Sequence, residues 1–134
     1  MHARAVDHVA VVVENIDDAL ETYERLFGAA LELRSRLDEQ GVEAAMVRVG
    51  SGRVELIAPV RDDTGVARFL AQRGPGMHHL AFEVDSVASA LGELEAAGAT
   101  LVDTEPRTGL GGHEVAFVHP ESAHGVLIEV ISRG

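Results

Sequence analysis

Four residues could together do metal chemistry: His8, Glu55, His79 and Glu129. Each stands in a β-branched or aliphatic run, in DHVAVVV (7–13), VELIAP (54–59), HHLAFEV (78–84) and GVLIEV (125–130). Side chains alternate along a strand, so His8, Ala10 and Val12 share one face while Val9, Val11 and Val13 form the other. The valine face is the one expected to be covered by helix, which turns His8 the other way. Val54 and Leu56, and likewise Ile128 and Val130, mark the covered face of their strands, so Glu55 and Glu129 also point away from it. A carboxylate among aliphatics is costly unless something offsets its charge, and a divalent cation is a common solution. Two imidazoles and two carboxylates suit Mn²⁺, Co²⁺, Ni²⁺, Fe²⁺ or Zn²⁺, and an octahedral ion would keep two positions open for substrate oxygens. His78 adjoins His79, but alternation sends it to the opposite face, where a packing role is expected.

The elements that must position these residues read as a repeat. Val6 to Val13 is a strand, and Asn15 caps a helix whose apolar positions are Ile16, Ala19, Leu20, Tyr23, Leu26 and Phe27 before Gly28 stops it. Strands are expected at 31–37, 44–49 and 53–58, the last two joined through Gly50, Ser51 and Gly52, and a connecting helix at 64–73. The second half repeats the pattern: a strand at 78–84, a helix capped by Ser86 and stopped at Gly98, then strands near Thr100, at 114–118 and at 126–131. His8 falls on His79, Ala10 on Ala81, Ile16 on Val87, Ala19 on Ala90 and Leu20 on Leu91. The expected fold is α+β: two tandem βαβββ modules, about 5–60 and about 77–132, forming one cupped mixed sheet within a single domain of residues 1–134.

Composition narrows the function. The 134 residues, 46% of them hydrophobic, are enough for one sizeable core. A formal net charge of -11 opposes binding to nucleic acid or to an anionic membrane surface. No apolar stretch approaches a membrane span and MHARAVDHVA lacks a secretory core, so a cytoplasmic protein is expected. The absence of cysteine removes thiolate ligands and nucleophiles, and the absence of lysine removes Schiff-base chemistry. Acid–base work is left to His, Glu, Asp or Tyr23.

The strings DHVAVVV, EQGVEAAM, VELIAP, TGVARFLAQRGPGMHHLAFEV and HPESAHGVLIEV together resemble the methylmalonyl-CoA epimerase family of the vicinal-oxygen-chelate superfamily along almost the whole chain. The paired histidine after GPGM and the HP followed by GVLIE are the specific parts. The resemblance implies a metal held by His8, Glu55, His79 and Glu129, with Co²⁺ or Mn²⁺ preferred over Ni²⁺, Zn²⁺ or Fe²⁺. It implies an acyl-CoA substrate, a homodimer, and proton abstraction and return at C2 through a metal-stabilised enediolate. Glu129 is the candidate for one acid–base group. The other is expected at a glutamate that some members carry where this chain has Ala44; Glu43 beside it is the candidate, although alternation gives it the opposite face unless a bulge intervenes. The glycine-dense GLGGHEVAF (109–117) lacks the strand–turn–helix setting of a phosphate loop and reads as a turn. Competing readings are a glyoxalase I-like isomerase with the same four ligands, a three-ligand dioxygenase, and a metal-free binding module.

Overall fold

The computed structural model describes all 134 residues, Met1–Gly134. In chain order the elements are β1 (Ala5–Val12), α1 (Ile16–Phe27), β2 (Ala30–Leu37), β3 (Val42–Val49), β4 (Gly52–Pro59), α2 (Gly65–Arg73), β5 (Gly76–Glu83), α3 (Val87–Ala96), β6 (Arg107–Thr108), β7 (Glu114–Val118) and β8 (Ile128–Ser132). They form two compact units, one of Val9–His78 and the other of Met1–His8 with His79–Gly134. The division falls inside β1, whereas the repeat alone assigns that whole strand to the first module. No helix is long and apolar enough to cross a membrane.

In the Val9–His78 unit the strand order is β2-β3-β4-β1. β2 with β3 and β3 with β4 are antiparallel, and β1 with β4 is parallel, Ala10 standing opposite Glu55. α1 starts where the Asn15 side chain accepts the Asp18 N–H at 2.9 Å, and it ends on Gly28, whose φ of 66° suits a residue without Cβ. Its Ile16, Ala19 and Leu20 pack on Ala45 and Val47 of β3 and on Leu56 and Ala58 of β4. Alternation then assigns Val42, Ala44, Met46, Glu55 and Ile57 to the other face, where all five are buried.

In the other unit the order is β1-β5-β8-β7-β6. Arg4 N donates to the Glu83 carbonyl at 2.8 Å, β5 and β8 run parallel, and β8, β7 and β6 follow antiparallel. The Ser86 cap repeats the Asn15 backbone, φ -143° and ψ 122° against -144° and 122°. Val87, Ala90 and Leu91 of α3 pack on Val84, Ala116 and Val130, and Ala81, Val115 and Ile131 form an apolar group on the opposite parity. The strand expected near Thr100 is corrected here. Leu101 makes only an isolated bridge to Val118, and the short strand is β6 at Arg107–Thr108. Arg107, paired with Asp103 and lying 5.4 Å over the Phe117 ring, carries polar groups that the hydrophobic pattern does not register.

Candidate metal centre

His8, His79 and Glu129 converge within the unit built around β5 and β8. Ala81 of β5 stands opposite Glu129 of β8, so His79, two residues before Ala81, shares the glutamate's face. His8 is carried by the half of β1 that belongs to the same unit. The three side chains are buried, with ligand atoms all within 4.8 Å of one another. One Glu129 oxygen lies 3.3 Å from His8 Nε2 and the other 3.5 Å from His79 Nε2. The imidazoles meet edge to face at 5.6 Å between centroids, and Phe117, opposite Glu129 in the β7–β8 register, packs on His79 at 5.1 Å.

Such spacing fits a small divalent ion. Metal–ligand bonds of ~2.1 Å imply neighbouring donors roughly 3.0–3.4 Å apart in octahedral or tetrahedral geometry. The two nitrogen–oxygen separations, 3.3 and 3.5 Å, fall close to that range, and the donors join two borderline imidazole nitrogens to a hard carboxylate.

A carboxylate that the strand pattern did not single out stands behind His8. Asp7 is buried, its Oδ2 lies 2.7 Å from His8 Nδ1, and Arg133 grips it with a two-point fork, Nε to Oδ1 at 2.6 Å and Nη2 to Oδ2 at 3.0 Å. Burial by itself would raise this carboxyl. The hydrogen bonds with His8 and Arg133, reinforced by their charges, outweigh it and hold the group well below the ordinary carboxylate range.

Of the remaining candidates, Glu55 is buried at 8% exposure in the Val9–His78 unit, opposite Ala10 and Met46. Glu43 sits on the other parity of that sheet, with Ala45 and Val47 toward α1. There Arg34 donates to it at 2.8 Å while also donating to Asp17 of α1 at 2.6 Å. Ala44 is fully buried on the Glu55 face. His78 packs edge to face on Phe69 of α2 at 5.1 Å; burial chiefly, and the charge of Arg73 next, lower its pKa. The glycine-dense loop closes on itself, Gly109 N donating to His113 O at 2.8 Å and Gly112 N to Gly109 O at 3.1 Å.

Residues 7–117 match the Glyoxalase/Bleomycin resistance protein/Dioxygenase superfamily. The chain is 32% identical to the mitochondrial methylmalonyl-CoA epimerase of Dictyostelium discoideum, over 93% of this chain and 76% of that one. It superposes on the crystal structure of methylmalonyl-CoA epimerase from Mycobacterium tuberculosis with a TM-score of 0.94, at 32% identity, covering 98% of this chain and 89% of that one. A methylmalonyl-CoA epimerase in complex with methylmalonyl-CoA and NH4+ superposes with a TM-score of 0.93 at 30% identity, covering 98% of this chain and 95% of that one.

The chain belongs to the methylmalonyl-CoA epimerase family.

That is a family of isomerases, and its vicinal-oxygen-chelate fold is the fold of this chain. Against the ligand set expected of the family, the structure brings His8, His79 and Glu129 to one point. It places Glu55 buried on β4, and it puts Glu43 in an ion pair on the helix side. Strand alternation, and the family resemblance after it, drew attention to the four ligands but not to Asp7 or Arg133. The one local signal for Asp7 is an acidic residue directly before a strand histidine, and Arg133 has none.

Proposed function

We propose that this protein interconverts the C2 stereoisomers of methylmalonyl-CoA, with one divalent ion, Co²⁺ or Mn²⁺ by preference, held by His8, His79, Glu129 and Glu55. The observation that carries the reading is the convergence of two buried imidazole Nε2 atoms on the two oxygens of one buried carboxylate, in a chain of this family. Glu55, buried on β4, is assigned as the fourth ligand on the family resemblance. A homodimer, in keeping with the family resemblance, is the form proposed with it, and the cytoplasm is the proposed location.

A bound divalent ion supplies Lewis-acid stabilisation of the negative charge that develops on the thioester and carboxylate oxygens, an effect of several kcal/mol. The residues do the rest. Glu129 accepts the C2 proton on a carboxylate oxygen and holds it, in a site whose apolar neighbours Ala81, Val115 and Ile131 limit water. His8 and His79 keep their rings turned to the Glu129 carboxylate and so fix where it can reach. Inversion requires a proton to arrive from the opposite side of the carbanion. Glu43 is not assigned that role, because its carboxylate is committed to Arg34 on the α1 side.

The test is solvent deuterium exchange. Protein reconstituted with Co²⁺ or Mn²⁺ is expected to incorporate deuterium at C2 and to interconvert the isomers, and Glu129→Gln at saturating metal is expected to lose both by ~10²–10⁴-fold. Turnover of a glutathione hemithioacetal in place of any exchange would favour the glyoxalase I-like reading. Tight binding of the thioester with no exchange under any metal would favour a binding module.

A further inference from the structure

We propose that Asp7 and Arg133 are positioning residues that hold His8 in the one tautomer able to coordinate a metal through Nε2. The inference rests on the reading of His8 as a ligand and extends it to the residues that stand behind its Nδ1.

A neutral imidazole carries one proton, and only the unprotonated nitrogen can coordinate. His8 presents Nε2 to Glu129 at 3.3 Å and Nδ1 to Asp7 at 2.7 Å. An ionised carboxylate only accepts hydrogen bonds, so the contact with Asp7 requires the proton on Nδ1 and leaves the Nε2 lone pair facing the site. Arg133 keeps Asp7 in that accepting state. Its guanidinium does not lose its proton in proteins, and its fork engages both carboxylate oxygens, at 2.6 and 3.0 Å. Asp7 is buried with the ligand, at 6% exposure against 2% for His8, and Arg133 covers it from the more exposed side. The ion pair also ties the first strand to the residue directly after β8, 126 positions along the chain, so the ring is oriented from both ends of the unit. Arg133 Nη1 in turn lies 3.5 Å from His113 Nε2, which steadies the guanidinium from the other side.

Partners of this kind typically alter metal affinity ~10–100-fold when removed. The experiment uses full-length protein labelled with ¹⁵N at histidine, metal-free for tautomer assignment by NMR and titrated with Co²⁺ by calorimetry. Wild-type His8 is expected to show a protonated Nδ1. Asp7→Asn is expected to shift His8 toward the Nε2–H form, leave the His79 signals in place, and weaken Co²⁺ binding ~10–100-fold. Arg133→Gln is expected to move both readouts the same way by a smaller amount, and Arg133→Lys, which keeps the charge but not the fork, to restore part of the loss. A folded Asp7→Asn protein with an unchanged His8 tautomer and Co²⁺ affinity within about twofold of wild type would overturn the proposal. If Asp7→Asn does not fold, Arg133→Gln at the more exposed end of the pair decides by the same two measurements. Wild-type protein that binds no Co²⁺ would refute the ligand reading of His8, and the tautomer comparison in metal-free protein would still decide whether Asp7 sets the ring.

Discussion

His78 and His79 are neighbours in the chain, yet one packs on Phe69 of α2 and the other faces the Glu129 carboxylate, because adjacent residues of a strand leave on opposite sides of the pleat. Replacing them separates ligation from packing. His79→Ala is expected to weaken metal binding by orders of magnitude, while His78→Ala leaves it within a few-fold and costs some stability through the lost contact with Phe69. Equal loss of metal in the two variants, measured by calorimetric titration, would show the parity to be wrong. The same rule treats Glu43 and Ala44. Glu43→Gln removes a partly exposed ion pair with Arg34 on the α1 side and is expected to leave epimerisation within a few-fold, since exposed pairs contribute little. A fall of ~10²–10⁴-fold with normal folding would instead make Glu43 an acid–base group.

Among the elements, the helices and the strands under them are held by a few residues placed twice. The Asn15 and Ser86 caps share one backbone geometry, and Ile16, Ala19 and Leu20 on α1 correspond to Val87, Ala90 and Leu91 on α3. Leu56 is the large residue of β4 that the α1 layer encloses completely, directly beside Glu55 in sequence. Leu56→Ala is therefore expected to destabilise the protein by ~2–5 kcal/mol, read from denaturant unfolding. Asn15→Ala removes a single capping bond and is expected to cost about 1 kcal/mol. A Leu56→Ala effect no larger than that of the cap would mean that β4 is not anchored through this residue. Glu55 would then need another means of support.

For the whole molecule, a metal that binds only the folded chain adds stability by mass action. At a free ion concentration 100 times the dissociation constant the gain is ~2.7 kcal/mol. For a domain of this length that corresponds to a rise of about 10 °C in the melting temperature. Scanning calorimetry with saturating Co²⁺, then with excess chelator, should show that difference, and His79→Ala should show little of it. An identical melting temperature under both conditions in the wild-type protein would argue against a bound ion altogether.

Alternation, capping residues and internal correspondence are local properties, and they were enough to locate the helices, nearly all the strands and the shared parity of His8, His79 and Glu129. The absence of cysteine and lysine restricts the donors and bases by composition alone. Tertiary structure decided what depends on partners distant in sequence. Arg133 reaches Asp7 across 126 positions, and no periodicity records such a pair. The commitment of Glu43 to Arg34 follows from α1 bringing Asp17 to the same guanidinium. The short strand moved from Thr100 to Arg107–Thr108 because β7 accepts pairing there, in residues whose apolar pattern carries no strand signal. Pattern in a sequence reports which face a side chain takes, whereas the identity of the group opposite it is settled only when the strands are brought into register.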